Sequence, residues 1–159
     1  MISRILVPID HSEHSRRAVT FAADLAVGFG ASIRFLHVLN KLLGRPQLKR
    51  YADLLETASE ADASELVEVR EKLAASGEVE GLHLLEQARS HAVHAGVGEV
   101  DTTLDDGDPA TVILHQVFLG QHDVVVLGRR GMGNLKGLLA GSVSQKVAAW
   151  GRCTVILVK

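Results

Sequence analysis

Cysteine is almost missing from this sequence: Cys153 is the single one among 159 residues. That excludes an intrachain disulfide and suits a reducing compartment. Aromatic residues make up only 4%, too few for the stacking platform of a single-strand nucleic-acid binder. A charge excess is missing too. Seventeen Lys and Arg stand against nineteen Asp and Glu, a formal net charge of −2, so there is no general attraction to nucleic acid or to acidic membranes. No apolar run approaches the ~20 residues that a membrane span needs. Met1-Ile2-Ser3-Arg4 runs directly into a strand-like segment, not a signal peptide. The expected location is the cytoplasm. Repeats, low-complexity tracts and linkers are also missing, and the length falls within one ordinary domain. A single domain over residues 1–159 is expected.

What is present is a regular alternation. Five short β-branched runs, Ile5–Ile9, Ser32–Leu39, Val97–Leu104, Val124–Leu127 and Thr154–Val158, are apolar on successive residues. Such runs fit parallel strands covered by helices on both faces. Helical stripes lie between them. Ala18, Phe21, Ala22, Leu25 and Ala26 recur at three- and four-residue spacing, with Ser12 as N-cap and Gly30 as stop. Val112, Ile113, Gln116 and Val117 follow Asp108-Pro109, with proline at an early helical position. Val143, Val147 and Trp150 mark a last helix that Gly151 ends. The stretch from Gln47 to Gly96 carries three further stripes: Leu48, Tyr51, Leu54, Leu55, Ala58 and Ala61; then Leu66, Val69 and Leu73; then Leu82, Leu85, Ala88 and Ala92. A break falls at Gly77 to Gly81, so a long or doubled crossover helix is expected. Strands alternating with helices imply right-handed crossovers and a doubly wound α/β sheet.

The chemistry concentrates after the fourth run. Gly128 is followed by two residues, Gly131, nine residues, and then Gly141-Ser142. A buried strand thus delivers the chain to a glycine-bearing loop, and a helix starts at its far end. Unpaired N–H groups and the helix dipole favour an anion at such a start. Glycine lets the backbone approach phosphate oxygens and adopt positive φ. A standard P-loop does not fit: Gly128 and Gly133 have its gap, but Asn134-Leu135 stand where Lys and Ser/Thr are needed. Arg129, Arg130 and Lys136 lie in the loop and could offset phosphate charge, or they are simply solvated. Asp10 ends an otherwise apolar run. It is either the N-cap of the next helix or a ligand contact, able to accept from ribose or adenine or to ligate Mg²⁺.

These residues carry a resemblance. The glycine spacing is similar to the nucleotide-binding signature of the universal stress protein family, in its ATP-binding branch. Ile5-Leu6-Val7-Pro8-Ile9-Asp10, His37-Val38, Gly107-Asp108-Pro109 and the closing apolar strand match as well; the stretch from Lys41 to Gly96 matches loosely. The resemblance implies a five-stranded parallel sheet of order 3-2-1-4-5 with helices on both faces, similar to the adenine nucleotide alpha hydrolases. It implies contacts to ATP, ADP or AMP from Pro8, Asp10, Val38, Gly107, Leu127, Gly128, Arg129, Arg130, Gly131, Gly141, Ser142 and Val143, with Mg²⁺ on the phosphates. Val38 acts there through its backbone, and Gly107 either lines the crevice or simply turns into a helix. In such sheets ligands bind where strand order reverses, which brings Asp10 beside Gly128. The family pattern often has proline after the cysteine of the last strand, where this chain has Thr154.

No nucleophile–base–orienter set or paired catalytic carboxylates stand out. Of the eight histidines, His11 and His14, and His91 and His94, are close in sequence but read as solvated, since zinc needs further ligands. The expected function is a nucleotide-binding regulator acting through a homodimer or an unidentified protein partner. The rival readings are a slow ATPase or nucleotidyl transferase in the same crevice, and a nucleotide-free interaction module. The first is weakened because Asp10-His11-Ser12-Glu13-His14-Ser15 stands where related hydrolases carry Ser-Gly-Gly-x-Asp-Ser. The last strand is expected at the sheet edge with only Lys159 to guard it, and so to pair with a second copy.

Overall fold

A computed structural model describes residues 2–39, 67, 77–130 and 141–159. The elements run β1 (Arg4–Pro8), α1 (Glu13–Phe29), β2 (Ser32–Leu39), α2 (Glu78–His94), β3 (Val100–Asp106), α3 (Pro109–Gly120), β4 (Val124–Gly128), α4 (Ser142–Trp150) and β5 (Thr154–Val158). All pairings are parallel, and the order is β3-β2-β1-β4-β5. The expected doubly wound α/β sheet is therefore the fold. The stripes on residues 48–61 and at Leu66, Val69 and Leu73 lie outside the described residues. Among those described, no helix is long and apolar enough to cross a membrane.

Because each central strand is covered on both sides, consecutive residues of β1 and β4 are buried: Ile5, Leu6 and Val7, then Val124 to Leu127. Alternation of side chains sorts them into two cores. Ile5, Val7, Phe35 and Val126 pack under α1 and α2 with Ala18, Ala22, Leu85 and Ala88. Leu6, Leu36, Val125 and Leu127 pack under α3 and α4 with Ala110, Ile113 and Val147. Helix α1 uses small residues toward the sheet, which leaves Phe21 42% exposed. Trp150 closes α4 as expected, but it points outward and is 68% exposed. Leu82, placed in the α2 stripe by its spacing, is also exposed. Gly81 instead takes the buried position, and the break narrows to Gly77, which precedes the helix at φ +79°.

The third strand corrects the expected bounds. It starts three residues later than Val97 and runs two past Leu104. Gly96, at φ +98°, and Val97 belong to the end of α2: Gly96 N–H donates to Val93 O (3.0 Å) and Val97 N–H to Ala92 O (3.1 Å). This pair of bonds is a Schellman closure, which folds the apolar residue after the glycine back onto the helix. Val97 is buried for that reason and not as a strand residue. At the other end, Asp105 and Asp106 extend the ladder opposite Val38 and Leu39.

At the amino pole of the sheet, Asp123 anchors the start of β1. Its carboxylate accepts from Ser3 N–H (2.8 Å), Ser3 Oγ–H (2.8 Å) and Arg4 N–H (2.9 Å). Those bonds to Ser3 and Arg4 pull its pKa down to about 2. A folded pKa below the unfolded one gives stabilisation that is complete above the unfolded value, roughly 4, and is lost as pH falls through the folded value. Urea unfolding of the wild type should therefore show a midpoint that drops from about pH 4 downward. Asp123→Asn should remove that part of the drop while lowering stability at neutral pH. A variant with the wild-type acid dependence would place it on other carboxylates.

Candidate functional site

Two loops meet where the strand order reverses, between the carboxyl ends of β1 and β4. The first is a chain of local bonds. Asp10 Oδ1 accepts from Ser12 N–H (3.0 Å), an Asx turn, and Asp10 N–H donates to Ser15 Oγ (2.9 Å). Ser12 has an extended backbone, and its hydroxyl accepts from Ser15 N–H (3.1 Å), so Ser12 is the N-cap of α1. That resolves one alternative: Asp10 stands two residues ahead of the cap. The Ser12 hydroxyl also donates to Arg130 O at 3.3 Å, which joins the first loop to the second.

The second loop is organised around one residue. Arg129 N–H donates to Val158 O on β5 (2.7 Å). Arg129 O accepts from Gly141 N–H (2.9 Å) and from the Ser144 hydroxyl (2.9 Å). The chain that leaves at Arg130 thus returns at Gly141 to the residue it left. Helix α4 then starts at Ser142, with Gly141 as N-cap and no side-chain cap bond. The caps of α1 and α3 differ, because Ser12 and Asp108 each supply a side-chain acceptor. The opening N–H groups of α4 are left without that acceptor, which is the arrangement an external anion satisfies. Nearby, the Nε of Arg129 is buried and has no hydrogen-bond partner among the described residues.

Gly128 proves necessary for a reason the sequence did not display. A Cβ there would stand 2.8 Å from His14 C, 2.9 Å from His14 Cβ and 3.0 Å from Ser15 N. The first turn of α1 packs directly on this position, so the glycine admits a helix. Positive φ is not what selects Gly141, whose φ is −72°. Among the described residues Gly107 does adopt it, at φ +132°.

Gly107 forms the far flank, donating its N–H to Leu39 O (3.3 Å). The next residue, Asp108, caps α3 by accepting from Thr111 N–H (3.0 Å) and Thr111 Oγ–H (2.8 Å), and those bonds hold its carboxyl below the usual carboxylate range. Lys146 of α4 lies 4.0 Å away. Val38 points into the core under α3 and α4. Asp10, Gly128, Arg129, Arg130, Gly141 and Ser142 are brought to the switch point, with Pro8 and the buried Leu127 just below in their strands and Val143, in the first turn of α4, packed on the core beneath that helix. Val38 and Gly107 sit one and two strands away. Gly131 and Lys136 lie outside the described residues. His11, His91 and His94 are exposed, whereas His14 is half-buried. Among the described residues, no three His, Cys, Asp or Glu side chains converge as metal ligands.

Two features at this pole escaped the sequence reading. Glu78, opening α2, is 3% exposed, and burial followed by the charge of Asp106 raises its pKa. His37 Nδ1 lies 2.8 Å from Ile9 O. A histidine and a glycine in otherwise apolar patterns, His37 and Gly81, were the available signals.

The geometry defines an open, doubly wound parallel sheet with a crevice at its switch point. The chain belongs to the universal stress protein family, whose model matches residues 1–159. It is 31% identical over 159 residues to the universal stress protein YxiE of Bacillus subtilis, covering 100% of both chains. Two solved structures share the fold. A universal stress protein family protein from Arabidopsis thaliana, solved with AMP bound, has a TM-score of 0.64 and 20% identity, over 99% of this chain and 91% of that one. The universal stress protein from Archaeoglobus fulgidus, solved in complex with dAMP, has a TM-score of 0.63 and 18% identity, over 100% and 98%.

Gly128→Ala should lower stability by about 1–3 kcal/mol, the usual range for overpacking, because the neighbouring atoms belong to helix backbone and cannot rotate away. Equilibrium urea unfolding measures it. An unchanged midpoint would mean that α1 shifts without cost.

Proposed function

We propose that this protein binds an adenine nucleotide, with its phosphates on the Gly128–Gly131 and Gly141–Ser142 segments and its nucleoside toward Asp10 and Val38. The observation that carries the reading is the start of α4, a helix amino end without a side-chain cap at the point where strand order reverses. Two arginines adjoin it, and Arg129 brings a buried nitrogen that lacks an acceptor. AMP and dAMP in relatives of the same fold support the base and the first phosphate. ATP is the fuller occupant. Its Mg²⁺ would be held by phosphate oxygens with a carboxylate such as Asp10, the usual mode for this ion. The role we assign is regulation by occupancy in the cytoplasm, with binding and not turnover as the output.

A homodimer through β5 belongs to this reading. Of the two sheet edges, β3 carries Asp101, Asp105 and Asp106, charges that blunt pairing, whereas β5 reads Thr-Val-Ile-Leu-Val. Thr154 N–H donates to Asp123 O, and Val158 O accepts from Arg129 N–H. Alternation then turns the peptide groups of Ile156 toward β4 and those of Val155 and Leu157 toward the open edge. A second copy on a two-fold axis would pair there. Arg129 touches both the cradle and this edge, which offers a path for linkage between nucleotide and partner, another protein included.

Calorimetry should show AMP or ATP binding, abolished in Gly141→Val. Arg130→Ala should weaken ATP more than adenosine. Unchanged affinity in Gly141→Val would sink the phosphate placement.

Sedimentation should find a dimer at micromolar concentration, and Leu157→Pro, which removes a donor from the open edge, should yield monomer. A wild-type monomer would refute the pairing.

A further inference from the structure

His37 lies on the face of β2 that α2 covers, and its ring is fixed from three sides. Its Nδ1 is 2.8 Å from Ile9 O. A carbonyl can only accept, so Nδ1 carries the proton and donates it. Gly81, in the first turn of α2, leaves the space that the ring occupies. A Cβ there would stand 2.8 Å from His37 Cδ2 and 2.9 Å from Leu104 Cδ1. The ring of His11 meets it edge-on, with centroids 6.0 Å apart and planes at 71°.

Ile9 and His11 are the residues on either side of Asp10. Ile9 N–H donates to Leu36 O at 2.8 Å, so the end of β1 is gripped twice by β2, once through backbone and once through the His37 side chain. A leucine or phenylalanine would fill the same space under Gly81. What imidazole adds is a donor, aimed at the carbonyl after which the chain turns to Asp10.

We propose that His37 is a positioning residue for the nucleoside half of the site. By holding Ile9 O it fixes where the chain leaves β1, and so where the Asp10 carboxylate stands, and it joins the start of α2 to that end of the crevice. The inference rests on the reading that Asp10 meets the bound nucleotide.

The test uses the full chain and AMP as probe. His37→Phe fills the space without a donor and should weaken AMP binding about tenfold, the scale of one hydrogen bond. His37→Asn places an amide N–H near the position of Nδ1 and should restore affinity to within about threefold of wild type. In an Asp10→Ala background, His37→Phe should cost little more, because residues acting through one another are not additive. Nitrogen-15 spectra of the wild type should show the proton on Nδ1. Should His37→Phe not fold, Gly81→Ala, which pushes the ring off its place, should give the same loss. Full additivity with Asp10→Ala, no rescue by asparagine, or a proton on Nε2 alone would each overturn the inference. Wild-type protein that binds no AMP would remove the nucleotide reading itself, whereas AMP binding untouched by His37→Phe would remove only this one.

Discussion

The contact on which the site depends is the one between the end of β4 and the first turn of α1, where Gly128 has no side chain to keep the helix away. Three distances of 3.0 Å or less to a hypothetical Cβ show how little room there is. With the helix seated, Ser12 comes within reach of Arg130 O. Two loops more than a hundred residues apart in sequence then behave as one surface. The long-range bond is a weak, single hydroxyl contact. The packing beneath it is what fixes the geometry, because backbone atoms in a helix cannot give way as side chains do.

Arg129 is the second joint. Its N–H is bonded to the edge strand and its carbonyl to the residues that open α4. A residue whose two flanking peptides are both held has little freedom to move alone. Any charge that draws the arginine or the helix start acts on the same atoms that fix Val158. Linkage between a ligand site and a distant surface needs a shared element with differential contacts, not proximity alone. Arg129 is the residue through which the proposed linkage would run.

Much of this was legible from the sequence. Apolar runs on successive residues gave the five strands and their parallel sense, and Ser12, Gly30 and Asp108-Pro109 gave helix ends that the structure bears out. The convergence of Asp10 with Gly128 follows from strand order, which came from family resemblance and not from any local pattern. What local pattern could not reveal was depth. Val97 looks like a strand residue because it is apolar, yet it is buried by a helix closure. Phe21 and Trp150 look like core and are exposed, because alanines on α1 and Val147 on α4 already fill the space against the sheet. Gly128 and Gly81 are required by contacts with residues remote in sequence, which the expectations of phosphate approach, positive φ and a helix break did not reach.

The two poles of the sheet differ in how their polar groups are satisfied, and that difference bears on the proposed site. At the amino pole the groups are paired within the chain. Asp123 takes three donors, Arg34 meets Asp101 at 3.1 Å, and Arg4 donates to Gly120 O. Buried His122 bonds Gln116 O through Nδ1, its ring filling the space beside Gly120, and burial keeps its pKa low. These polar side chains are thus occupied by one another and by backbone. The carboxyl pole is built from backbone turns and short side chains, and it ends in a helix start and a buried arginine nitrogen that find no side-chain acceptor among the described residues. Polar groups removed from water demand partners. An anion arriving from outside would find more donors to complete at the second pole than at the first, and that contrast is what supports the proposed site.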